Sequence, residues 1–157
     1  MYSLLDSDEV GGDSKVKEVT EFVTENEVSF GDCEFMVVPQ VVCMETWFLG
    51  NRRIFPRNPR SQECAQLIKH YNVIINDPET MEKPHGFDGT VSDFHYKYLK
   101  LVFLDRNIRY SKSHPTEVTE SYYISELELR IRNDVDAMKS MRHLIHLFQT
   151  VRKSFVE

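Results

Sequence analysis

The 157-residue sequence is poor in the residues that would place it outside ordinary globular proteins. It has three cysteines, Cys33, Cys43 and Cys64, without C-x-x-C spacing, so neither a disulfide framework nor a zinc ribbon follows. Six glycines and six prolines exclude collagen-like and linker-like chains. Its apolar runs last only a few residues, too short to span a bilayer, and no membrane partner is expected. Met1 to Leu5 lack the basic start and long apolar stretch of a signal peptide, which makes a reducing cytoplasm the expected location. No Gly-x-x-x-x-Gly-Lys phosphate loop and no Gly-x-Ser-x-Gly elbow occurs.

What is present is a balanced composition, 41% hydrophobic and 28% charged, suited to one domain over residues 1–157. The net charge of -6 is unevenly spread. Residues 1–50 carry two lysines, no arginine and eleven acids, and the remainder has a basic excess. A local acidic excess suits divalent cations or a solvated helix, and a basic remainder suits phosphates.

Hydrophobic patterning predicts an α/β fold. Tyr2 to Leu5 reads as a strand running into a loop, Asp6 to Gly12. Val16, Val19, Phe22 and Val23 recur at helical spacing. Phe35 to Val38 reads as a second strand ended by Pro39, and Val41 to Leu49 as a short buried helix. Arg52 to Arg60 is expected to be an irregular basic loop, Ser61 to His70 a helix, Val73 to Ile75 a third strand and Asn76 to Asp93 a long polar loop. Phe94 to Leu104 reads as helix by its length. Tyr123, Ile124, Leu127 and Ile131 mark another, and Met138, Met141, Ile145, Phe148, Val151 and Phe155 a last one. The expected division is an α/β part over 1–76 and a mostly helical part over 77–157.

The sharpest local feature is Leu4-Leu5-Asp6-Ser7-Asp8, an apolar strand ending in two carboxylates two residues apart. At the carboxyl end of a parallel strand such a pair faces the crevice where α/β sheets bind ligands, and a hard cation relieves the mutual repulsion of the two groups. The alternative is a loop whose aspartates bond the backbone or cap the next helix. Glu45 is either a buried hydrogen-bonded carboxylate or a site residue, whereas Trp47 reads as core. Arg52, Arg53, Arg57 and Arg60 suit a nucleic-acid backbone as well as a solvated loop, with Phe55 as a stacking face, and Tyr110 and Lys112 are a weaker candidate for phosphate contact. His143 and His146, three apart, lack an indicated third ligand, and Ser111, Ser113 and His114 are too close in sequence to establish a triad.

The strand-Asp-x-Asp element, followed by a helix, a strand and Val38-Pro39-Gln40-Val41-Val42-Cys43-Met44-Glu45-Thr46-Trp47-Phe48-Leu49, resembles the Toprim-like proteins of bacterial phage-defence loci. These are the overcoming-lysogenization-defect type nucleases and their small relatives, often encoded beside an ABC-type or SMC-type ATPase. Asp77-Pro78-Glu79 with Lys83-Pro84, Tyr110-Ser111-Lys112 and a terminal helix carrying Ser140 are similar to elements of the same relatives. The resemblance implies a partial Toprim-like parallel sheet with flanking helices and a helical C-terminal third. It also implies Asp6 and Asp8 as ligands of Mg²⁺ or Mn²⁺, phosphodiester cleavage of nucleic acid, and an ATPase partner. Only five residues precede Asp6, so the earlier strand and glutamate of a Toprim domain are not expected in this chain, and Glu45 is the candidate to stand in for that catalytic carboxylate. The rival expectation is a catalytically inactive interaction module that self-associates as a homodimer or binds the ATPase.

Overall fold

The computed structural model describes residues 2–7, 11–33 and 35–154. It is mixed α/β and mostly helical, with a small two-stranded parallel sheet. Residues 1–43 with 140–157, and residues 44–139, make up two compact units.

The first unit contains strand β1 (Tyr2–Asp6), helix α1 (Gly12–Glu25), strand β2 (Met36–Gln40) and the helix α6 (Lys139–Ser154) from Ser140 onward. The strands pair in parallel with Leu4 opposite Val38 and Asp6 opposite Gln40, so α1 lies on the crossover that parallel strands require. Gly11, at φ 85°, turns the chain into α1, a conformation glycine adopts without a Cβ penalty. A Cβ on Gly12 would stand 3.3 Å from the Pro39 ring, so the start of α1 lies close against β2. The expected apolar face of α1 is shallow. Val16, Val19 and Val23 are half-buried and Phe22 is exposed.

Pro39 does not end β2, which continues to Gln40. Among the described residues each strand of this two-stranded sheet has an open edge, and an edge tolerates the missing proline N–H. The helix expected from Val41 begins only at Met44, because Val42 has φ 66°. Met138, at φ 53°, likewise lies just before α6. Phe155 lies outside the described residues.

The second unit contains α2 (Met44–Leu49), α3 (Gln62–His70), α4 (Val91–Asp105) and α5 (Ser121–Asn133). Its core includes Trp47, Leu49, Ile54, Cys64, Phe94, Tyr98, Leu99, Phe103, Tyr123 and Leu127. Ser61 caps α3 by accepting from the Cys64 N–H at 3.1 Å. Thr90 and Asp93 form a reciprocal capping box that starts α4 at Val91, within the stretch expected to be loop. That stretch also holds a 3-10 turn at Pro78–Thr80 capped by Asp77, and the basic segment holds another at Arg52–Ile54.

The third strand is absent at Val73 to Ile75, where the chain forms a turn. Asn72 dictates this: its side chain accepts from the Ile74 N–H, and its carbonyl accepts from the N–H groups of Ile75 and Asn76. Val73 is buried while Ile75 projects outward, so the apolar triplet is not a uniformly buried strand.

Candidate functional site

Asp6 closes β1 and is exposed. The backbone beside it is well tied. The Ser7 N–H donates to the Gln40 carbonyl at 2.9 Å, and the buried Ser7 hydroxyl accepts from the Val42 N–H at 3.2 Å. Asp8 lies outside the described residues. Among the described residues no group of three His, Cys, Asp or Glu side chains is placed to hold a metal. His143 and His146 are exposed on α6.

The second unit brings together three residues singled out separately in the sequence. Glu45, on α2, is buried, and its Oε1 accepts from the Tyr110 hydroxyl at 3.2 Å. Its Oε2 stands 3.9 Å from Lys112 Nζ. Glu45 is therefore a buried, hydrogen-bonded carboxylate facing a phenol and an ammonium. Lys112 also lies over the Tyr96 ring, 5.6 Å from its centroid, and Lys100 stands 5.9 Å from the same centroid. Tyr96 and Tyr110 are ring neighbours, with centroids 6.1 Å apart. Two ammonium groups thus flank one half-buried aromatic ring, an arrangement that cation–π attraction favours.

Beside Glu45, Thr46 reaches a residue that the sequence reading missed. His95 is fully buried on α4. Its Nε2 lies 2.9 Å from the Met81 carbonyl oxygen and its Nδ1 2.7 Å from Thr46 Oγ1. A carbonyl only accepts, so Nε2 carries the proton and Nδ1 accepts from the Thr46 hydroxyl. Burial holds the imidazole down at about 4, against the opposing pull of the Met81 carbonyl and Glu45. The available signal was a lone histidine in the apolar stretch Phe94 to Leu104, with nothing in the sequence to name its partners.

The four arginines of the basic segment divide. Arg52 pairs with Asp134 and Arg53 with Glu126, each at 2.8 Å. Arg57 and Arg60 are exposed, with no ion-pair partner among the described residues. The Arg60 and Ser61 N–H groups both donate to Asp105 Oδ1 at 2.8 Å, which anchors the end of this segment to α4. Phe55, proposed as a stacking face, is buried and meets Tyr98 edge-on. Ser113 Oγ lies 3.0 Å from His114 Nδ1, and Ser111 Oγ 3.1 Å from Ser113 Oγ, in an exposed turn. These contacts close the turn between neighbouring residues.

No helix among the described residues is long and apolar enough to cross a membrane. No known family, no curated protein and no solved structure matches the chain.

Proposed function

We propose that the protein is a Toprim-like, nuclease-related component of a phage-defence or DNA-processing system, working on nucleic acid beside an ABC-type or SMC-type ATPase. The observation that carries the reading is the grouping of the exposed Lys100 and Lys112 about the half-buried Tyr96 ring on the second unit. Cations beside aromatic rings are the elements with which proteins hold a phosphate backbone and its bases. Arg57 and Arg60 are available as further phosphate contacts. The reaction class is Mg²⁺- or Mn²⁺-dependent phosphodiester cleavage, with Asp6 and Asp8 as the ligands and Glu45 as the carboxylate to be tested beside them.

The test is anisotropy of labelled single- and double-stranded oligonucleotides over a range of salt, with cleavage followed in Mg²⁺ and Mn²⁺. Expected are salt-dependent binding, a shallower salt slope in Lys112→Gln by about one counterion, and cleavage that Asp6→Asn and Asp8→Asn abolish. No binding of either oligonucleotide at low salt refutes the nucleic-acid reading, and binding without metal-dependent cleavage refutes the nuclease part.

One observation favours a second reading, the inactive interaction module. Among the described residues β1 has a neighbour on one side only, and its Leu4 is 43% exposed. An apolar strand with an unpaired edge is a template for another chain. Light scattering across a concentration series tests this, with a dimer that Leu4→Lys returns to monomer as the expected result.

A further inference from the structure

The last turns of α4 and the segment from Ile108 to Thr116 enclose a groove of about 550 Å³. Small-molecule sites occupy roughly 300–1,000 Å³, so this is the size of a ligand pocket. Its lining is divided by chemistry. Leu104, 57% exposed, and Ile108 give an apolar wall, Lys100, Arg109 and His114 give cationic or proton-bearing groups, and Ser111 adds a hydroxyl. Neither Lys100 nor Arg109 has an ion-pair partner among the described residues. Cations without an ion-pair partner among the described residues, beside exposed apolar surface, are complementary to a ligand that joins an anion to an apolar body.

We propose that this groove binds one nucleoside monophosphate unit, with the base against Leu104 and Ile108 and the phosphate facing Lys100 and Arg109. The inference rests on the nucleic-acid reading above for the choice of a nucleotide among anions of this shape. The arginine fork matches phosphate oxygens in pairs, whereas the lysine acts as a point charge. A base reaches such a wall only when it is unpaired, so the unit comes from a single strand or from a free nucleotide, and duplex is excluded.

The experiment is an anisotropy titration of the full chain with two probes, methylanthraniloyl-AMP and a fluorescein-labelled single-stranded oligonucleotide. Arg109→Gln and Leu104→Asp are measured beside the unmodified protein, and circular dichroism checks that each variant is folded. Both side chains are exposed, so neither substitution disturbs the core. The expected result is binding of at least one probe, weakened roughly tenfold or more by Arg109→Gln, the loss of a hydrogen bond to a charged group. Leu104→Asp weakens it comparably, and unlabelled adenosine competes poorly against AMP. Binding of the strand alone identifies a strand nucleotide as the occupant, and binding of methylanthraniloyl-AMP alone identifies a free one. A strand that binds equally to the unmodified protein and both variants overturns the groove and leaves the nucleic-acid reading standing. Failure of both probes overturns the groove, and failure of duplex as well overturns the reading it rests on.

Discussion

Acidification should destabilise the protein through His95. In the folded state this imidazole is fully buried and held neutral, its pKa lowered from 6.5 to about 4 chiefly by loss of hydration. In the unfolded chain it protonates near 6.5. Between these values the unfolded state binds the extra proton and the native state does not, so stability is full above 6.5 and falls as the pH is lowered toward 4. The loss reaches about 2 kcal/mol at pH 5 and about 3 kcal/mol once both states are protonated, from 1.4 kcal/mol per unit of displacement. The structural cause is specific. A second proton on Nδ1 would place a charge in a fully buried site, and the Met81 carbonyl and Glu45 only partly offset that cost. Urea denaturation at intervals from about pH 8 to pH 5 measures the effect. His95→Gln, which cannot titrate, supplies the reference that removes the contribution of the carboxylates. The difference between the two stability curves should narrow by about 2 kcal/mol across that range. Parallel curves, or an imidazole resonance for His95 that titrates above pH 6, would refute the reasoning.

Three further outcomes follow from local geometry. Gly50→Ala should cost about 1–3 kcal/mol in chemical denaturation, since its Cβ would stand 2.8 Å from the Trp47 carbonyl oxygen as well as 2.4 Å from the Met138 side chain; an unchanged midpoint would contradict this. Asp105→Ala should cost about 2–3 kcal/mol by leaving the Arg60 and Ser61 N–H groups without their acceptor, and Asp105→Asn should recover much of that in the same assay. With a thiol-reactive disulfide reagent the native protein should show one fast cysteine, the exposed Cys33, because Cys43 and Cys64 are buried and burial, with Asp105 nearby, pushes the Cys64 thiol up to about 11; two or three fast thiols would contradict the burial.

How much of this was legible in the sequence depended on the range of the interaction concerned. The apolar positions Tyr123, Leu127 and Ile131 repeat at helical spacing on the chain itself, so α5 could be read directly. The start of α4 was missed although its signal is local, because Thr90 and Asp93 stood in a stretch read as a polar loop. At Val73 to Ile75 the three β-branched residues suggest a strand, and in the structure the turn-forming Asn72 before them prevails. Pro39 was given too much force as a terminator, since the rule against proline applies to strands hydrogen-bonded on both sides. Glu45 could be flagged as a carboxylate in an apolar run, but Tyr110 lies 65 residues away, and no periodicity links the two. Arg52 and Arg53 were indistinguishable in sequence from Arg57 and Arg60, and only tertiary pairing with Asp134 and Glu126 separates them.

The six residues of α2 explain why the candidate site holds together within the second unit. A helix of this length is too short to be stable alone, because nucleation costs more than one turn of hydrogen bonds returns. Its conformation is imposed by what its side chains reach. Trp47 and Leu49 enter the core, Thr46 bonds His95 on α4, and Glu45 bonds Tyr110 and faces Lys112. His95 in turn grips the backbone at Met81, so one imidazole fastens three separate stretches of chain. Tyr110 is itself buried where it bonds Glu45, and the exposed Lys112 stands 3.9 Å from the same carboxylate. A lysine held beside the Tyr96 ring and near Glu45 has less conformational entropy left to lose than a free side chain. The buried polar groups of α2 therefore tie its fold to its surroundings: the same contacts that make a marginal helix fold also place Glu45 against Tyr110 and Lys112.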